Sequence, residues 1–123
     1  MNKKNFYTKN VLIGSSGGIG NALKKELSLK FGSENLICYS RNIDNKLDLT
    51  NEPQISEATE ELKSKNVKIN ILINAIGYLH DENYFPEKRI SDINYDYMLK
   101  SFKVNSIAHA LIIKYFSPLM SQD

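Results

Sequence analysis

Ile13-Gly14-Ser15-Ser16-Gly17-Gly18-Ile19-Gly20 is the stretch whose reading decides the fold. The apolar run Val11-Leu12-Ile13 stops at Gly14, the profile of a buried parallel strand. Beyond the glycines, residues 19–31 have helical spacing. Ala22, Leu23, Leu27 and Phe31 are expected toward the core, and Gly32 stands where a C′ glycine ends a helix. Glycines between a strand and a helix let the backbone turn tightly and approach a pyrophosphate closely. The free N–H groups and positive dipole end of the helix then hold the anion. A glycine cluster alone also allows a plain strand-to-helix turn. Its place here, after a strand and before a helix at the start of the fold, favours phosphate binding.

Working outward, Asn35-Leu36-Ile37-Cys38-Tyr39 is a second strand, stopped by Ser40-Arg41-Asn42. Lys46-Leu47-Asp48-Leu49 is a third, short strand. Thr50 or Asn51 caps a helix that starts at Glu52-Pro53, runs to about residue 65, and carries Ile55, Ala58 and Leu62 on one face. Residues 69–74 form a fourth strand, apolar almost throughout and therefore expected to be covered on both faces. Residues 77–91 read as a loop, and a long helix spans about 95–119 with a kink near Asn105-Ser106. The order β-α-β-β-α-β-α predicts an α/β fold: a Rossmann-type, doubly wound parallel sheet with right-handed crossovers. No repeat or linker divides the chain, so residues 1–123 read as one domain.

Composition narrows the function classes. Hydrophobic residues make up 41% and charged ones 24%, enough apolar material to bury a core. Sixteen Lys and Arg against fourteen Asp and Glu leave a net charge of +2, which argues against nucleic acid or an anionic membrane surface as the main partner. Cys38 is the only cysteine, so there is no internal disulfide and no Cys-based zinc site. No apolar run approaches the roughly 18 residues that span a membrane, and residues 1–10 lack the apolar stretch of a secretory leader. A cytoplasmic setting is the expectation. His80 and His109 are lone histidines without ligand spacing, expected at a loop and a helix surface, so no metal site is expected. Tyr78, Tyr84, Tyr95, Tyr97 and Tyr115 read as packing or rim residues, and the lysines of residues 63–68 as a solvated helix end.

The loop departs from G-x-G-x-x-G, because Leu23 stands where the third glycine would follow Gly18-x-Gly20. It fits G-x-x-x-G-I-G instead, and so resembles the short-chain dehydrogenase/reductase family, whose signature is T-G-x-x-x-G-I-G. Ile13 replaces the threonine whose hydroxyl braces the loop there. Gly14, Gly17 and Gly20 also match G-x-x-G-x-x-G of the family's extended, sugar-nucleotide branch.

Four later stretches resemble the same family in the right order. Ser40-Arg41 lies at the end of the second strand, where the ribose 2′ position is read. No acid stands there to favour NAD, and Arg41 offers a bidentate partner for a 2′-phosphate, so NADP(H) is expected over NAD(H). An exposed turn arginine is the plainer alternative. Asp48-Leu49-Thr50 resembles the D-[VL]-[ST] element, in which the aspartate accepts from the adenine amino group; Asp48 or Thr50 would alternatively cap the next helix. Asn74-Ala75-Ile76-Gly77 resembles N-N-A-G, which lines the adenosine and ribose pocket, and this favours the short-form branch. Val104-Asn105-Ser106 resembles the V-N-x segment carrying the catalytic asparagine, with an ordinary helix asparagine as the alternative. Residues 115–120 also resemble the family's approach to its next strand, and the nearest group is the C-factor-like carbonyl reductases.

The resemblance implies that Gly14, Ser16, Gly18, Ile19 and Gly20 hold the pyrophosphate, Ser40 and Arg41 the 2′-phosphate, and Asp48 and Leu49 the adenine. Asn74, Ala75 and Gly77 would line the pocket, and Asn105 would support the proton relay. The family's catalytic serine and Tyr-x-x-x-Lys pair follow the long helix, and residues 106–123 contain no such pair. Tyr84-Phe85-Pro86-Glu87-Lys88 has the spacing, but it precedes Asn105 and Pro86 forbids the regular helix that would stack the two. The chain therefore reads as the N-terminal half of an NADP(H)-dependent oxidoreductase acting on a small carbonyl or secondary alcohol. It is expected to be inactive by itself and to form a homo-oligomer by family analogy. The alternatives are a non-catalytic nucleotide-binding module or a truncated reading frame without function. Without a fifth strand, the fourth would be an exposed edge, and self-association of the isolated chain is expected.

Overall fold

The computed structural model describes residues 5–122. The leader reading of residues 1–10 thus falls partly outside the described residues. Three parallel strands carry the fold: β1 (Tyr7–Ile13), β2 (Leu36–Ser40) and β4 (Val67–Asn74), with a two-residue β3 (Asn45–Lys46) at one side. Their order in the sheet is β3-β2-β1-β4. Helix α1 (Gly18–Phe31) joins β1 to β2, and α2 (Glu52–Ser64) joins β3 to β4. Ile13 is in register with Tyr39 on one side and Asn74 on the other, so three strands end at one level. Between β1 and β4 the strand order reverses, which in open α/β sheets is where a ligand crevice forms.

Alternation along β1 sends Val11 and Ile13 to one face and Leu12 to the other. The first face holds the main core, where Val11, Ile13, Tyr39, Ile55, Leu62 and Ile69 pack with Ile112 and Phe116. The rings of Tyr39 and Phe116 meet edge to face at 5.8 Å. Helix α2 starts as its sequence predicts: Asn51 accepts from the Gln54 backbone N–H at 3.3 Å, with proline in the first turn. The other face is thinner. Ala22 is exposed, and Leu23, Leu27 and Phe31 are only half-buried, so α1 shields the sheet less than its spacing predicts.

Three further expectations need correction. The third strand is Asn45–Lys46 rather than 46–49, because Leu47 makes the last ladder bond, to the Ser40 carbonyl at 2.8 Å, and β2 ends at Ser40. The fourth strand is not covered on both faces. Asn70 is extra at a bulge opposite Lys9 and Asn10, and Ile71, Leu72 and Ile73 are half-buried. The long helix is three segments: α3 (Tyr95–Phe102), a π-helical turn (Lys103–Ile107) and α4 (Ala108–Phe116). The expected kink is that π turn, and Asn105 sits inside it.

The open side of β4 is already engaged at one point. Met120 pairs with Ile69 as a parallel bridge, and Ser121 donates to the Ile69 carbonyl at 2.7 Å. Beyond Ile69, residues 70–74 have no strand neighbour on that side among the described residues. Residues 1–123 expressed alone should therefore elute from size-exclusion chromatography as a self-associated species. A sharp monomeric peak would contradict this. Phe116→Ala should cost about 3–5 kcal/mol in chemical denaturation, because the ring is wholly enclosed.

Candidate functional site

The glycine loop contains two kinds of glycine. Gly14 has φ +88°, and a Cβ there would lie 2.9 Å from the Ala75 carbonyl carbon. A Cβ on Gly20 would lie 1.8 Å from the Gly14 carbonyl oxygen. Both positions exclude a side chain to let backbone meet backbone. Gly17 and Gly18 instead face open space, with only the Gly14 oxygen 3.9 Å from a Cβ on Gly17. The N-terminus of α1 has no side-chain cap and no acidic residue in its first turn, and Ile19 beside it is exposed. Those N–H groups are aimed at whatever occupies the end of the sheet.

The segment after β2 is fastened except at its tip. The Ser40 hydroxyl accepts from the Ile43 N–H at 3.0 Å and donates to the Ile43 carbonyl. Arg41 is exposed and has no ion pair among the described residues. Asp44, at φ +59°, accepts from the buried Ser15 hydroxyl at 2.7 Å and from Lys24 at 2.6 Å. Lys24 holds the Asp44 carboxyl below the usual carboxylate range, helped by Ser15. Further on, Asp48 uses Oδ1 for the Thr50 N–H at 2.9 Å and the Thr50 hydroxyl at 2.6 Å, while Oδ2 has no partner among the described residues.

At the end of β4, Asn74 accepts from the Ile76 N–H at 3.1 Å and meets His109 Nδ1 through its Nδ2 at 2.8 Å. His109 is thus a half-buried partner of Asn74 rather than a simple surface residue. Asn105 grips the next turn at two points: its Oδ1 accepts from the Tyr78 N–H at 2.8 Å, and its Nδ2 donates to the Tyr78 carbonyl at 2.6 Å. Lys100 lies 4.8 Å over the Tyr78 ring and pairs with Asp81. That pair holds the Asp81 carboxyl well below its ordinary value, while desolvation, with the Asp81 charge adding, pushes the Tyr78 phenol up to about 12. The Tyr97 hydroxyl donates to the Leu79 carbonyl at 2.6 Å. Tyr84 and Lys88 lie in irregular chain, so they form no stacked helical pair.

These segments surround a cleft of about 590 Å³ at the carboxyl ends of the strands. Of the residues expected at a site, Gly14, Ser16, Ser40, Arg41, Asp48, Leu49, Ala75 and Gly77 line it. Gly18, Ile19 and Gly20 belong to the first turn of α1 beside it, and Asn74 and Asn105 are turned to His109 and Tyr78. The volume is in the range of small-molecule and cofactor sites.

The family model described as enoyl-(acyl carrier protein) reductase matches residues 32–123. The chain belongs to the short-chain dehydrogenase/reductase family. No curated protein matches it. Among solved structures, the ligand-free aldohexose dehydrogenase of Thermoplasma acidophilum is similar over 96% of this chain and 47% of its own, with 22% identity and a TM-score of 0.76. A Pseudomonas aeruginosa carbonyl reductase covers 94% of this chain and 58% of its own, at 16% identity and a TM-score of 0.75. A double mutant of a Serratia marcescens short-chain dehydrogenase/reductase covers 93% and 52%, at 19% identity and a TM-score of 0.68. The chain thus spans about half the length of these structures. At such identities the likeness is one of fold, and it includes the glycine loop that the family model's match leaves out.

Sequence reading of this short-chain dehydrogenase/reductase missed Lys24, Asp44, Gln54, Lys100 and the exact partners of Asn105. Their signal is spatial, since each acts across 19 or more residues or, like Gln54, from the side of a helix onto the Asp48 N–H at 3.0 Å. Gly20→Ala should destabilise the fold by about 2 kcal/mol or more, since backbone must move, whereas Gly18→Ala should stay within about 1 kcal/mol. Urea denaturation of the two variants checks the contrast. Because the Asp81 carboxyl is held below its ordinary value of 3.8, the stability it adds is present above that pH and lost as pH falls through its lower folded value. The stability difference between the protein and Asp81→Asn should accordingly shrink on acidification below 3.8.

Proposed function

We propose that the chain is the cofactor-binding half of an NADP(H)-dependent short-chain oxidoreductase acting on a carbonyl or secondary alcohol. The observation that carries this is Arg41, an unpaired guanidinium lining the same cleft as the glycine loop, Asp48, Ala75 and Gly77. The cleft fits a nicotinamide dinucleotide on its own features. Gly17 and Gly18 leave open space before an uncapped helix N-terminus, and Leu49 and Ile76 supply apolar wall for a base. When bound, the cofactor supplies or takes the hydride.

The residues of this chain bind and orient. Gly14, Ser16 and Gly18, with the Ile19 and Gly20 N–H groups, take the pyrophosphate. Arg41 takes the 2′-phosphate from the turn that Ser40 closes. Asp48 Oδ2 accepts from the adenine amino group, beside Leu49. Asn74, Ala75 and Gly77 shape the pocket wall, and Asn105 supports the proton relay. The serine and Tyr-x-x-x-Lys pair that polarise the substrate oxygen and move the proton would come from outside residues 1–123.

Tyr95, Met98, Leu99, Phe102 and Ile107 form an exposed apolar stripe along α3 and the π turn, and this supports a homo-oligomer. The reading carries a cytoplasmic setting with it, and no helix among the described residues is long and apolar enough to cross a membrane.

Arg41→Ala should weaken NADPH binding by about tenfold or more and leave NADH within about twofold, read by cofactor fluorescence titration. Equal loss of both would remove the 2′-phosphate assignment. The intact mass of the protein as its cell makes it should be near twice 14.0 kDa, and that protein should oxidise NADPH with a panel of aldehydes and ketones. Binding without turnover at a mass of 14.0 kDa would instead favour the non-catalytic module.

A further inference from the structure

Asp44 raises an electrostatic problem for a 2′-phosphate site. It stands three residues after Arg41 in the same turn, where a free carboxylate would pair with the guanidinium or repel the phosphate. Two groups from the neighbouring elements hold it instead. Ser15, wholly buried in the glycine loop, donates to Asp44 Oδ2 at 2.7 Å, and Lys24 of α1 pairs with Oδ1 at 2.6 Å. Lys24 and Asp44 side chains are 35% and 20% exposed, so the pair is partly shielded from water. Arg41 retains no ion pair among the described residues.

We infer that Lys24 and Ser15 sequester the Asp44 carboxylate and so keep Arg41 available to a 2′-phosphate, which makes Lys24 a specificity-determining residue for NADP(H) over NAD(H). This rests on the cofactor reading above. Lys24 acts through Asp44 and need not touch the cofactor. The carboxylate is needed for neither the turn nor the ligand: φ +59° is a conformation that asparagine also adopts readily, and an amide oxygen still accepts from Ser15.

The test is titration of the intact protein with NADPH, NADH and 2′,5′-ADP, for the native chain and for Arg41→Ala, Lys24→Met, Asp44→Asn and the Lys24→Met/Asp44→Asn double variant. Thermal midpoints show that each variant is folded. Lys24→Met should weaken NADPH and 2′,5′-ADP by about fivefold and leave NADH within about twofold. Adding Asp44→Asn should restore NADPH binding. Asp44→Asn alone should bind NADPH at least as tightly as the native chain, whereas a merely structural ion pair would make that variant bind more weakly. Equal weakening of both cofactors in Lys24→Met, or no restoration in the double variant, overturns the inference while an intact Arg41→Ala effect leaves the cofactor reading standing. A native chain without NADPH preference overturns both.

Discussion

A Cβ on Gly20 would sit 1.8 Å from the Gly14 carbonyl oxygen, so α1 can begin where it does only because hydrogen occupies that position. Gly14 itself lies against the backbone of Ala75, with its N–H on the Tyr39 carbonyl at 2.8 Å. One residue therefore touches the ends of β1, β2 and β4 and the start of α1. Everything at the cleft inherits its position from this junction. The uncapped helix end faces the crevice because the loop cannot swell, and the β2 and β4 exits flank it because the three strands stop in register. A side chain at either glycine would push the helix from the sheet and disperse groups whose value lies in converging.

How much of this was legible in the chain depended on whether the cause was local. The strand–glycine–helix sequence, the Asn51 cap and the helical face of Ile55, Ala58 and Leu62 depend on neighbours in sequence, and they fall where spacing predicts. The π turn was visible only as a kink, since periodicity detects a break without revealing that one extra residue fills it. The strand expected at 46–49 failed because Leu47 satisfied the apolar pattern while its N–H made the last ladder bond, to Ser40, where β2 ends. Ala22 failed differently. Its spacing put it on the inner face, but along α1 Leu23 and Leu27 are half-buried while Ala22 is in solvent. Of the site, the backbone-shaping residues could be read, whereas the Ser15–Asp44, Lys24–Asp44 and Asp81–Lys100 pairs join positions 19 to 29 residues apart and have no linear signature.

The two faces of the sheet are unequally finished. On one, α2 and α4 close over Val11, Ile13 and Ile69, and Glu52 ties them together by accepting from Lys114 at 2.8 Å and Tyr115 at 2.7 Å. On the other, Ile71 and Ile73 keep part of their surface in water. The site lies at the end of the finished face, but α1 brings its N-terminus and Lys24 to it from the looser one.

The extra residue of the π turn also acts as a change of phase. Before it, Tyr95, Met98, Leu99 and Phe102 follow the helical three-and-four rhythm; after it, the next member of the same stripe is Ile107, five positions on. A regular α-helix would rotate everything beyond Phe102 by about 100°, one residue's share of a turn. Ala108, Ile112 and Phe116 would then swing away from the core that they now fill. The bulge that lets Asn105 reach Tyr78 is thus also the spacer that absorbs the extra residue, so deleting one residue there would keep the two halves of the helix facing the same protein while costing Asn105 its reach.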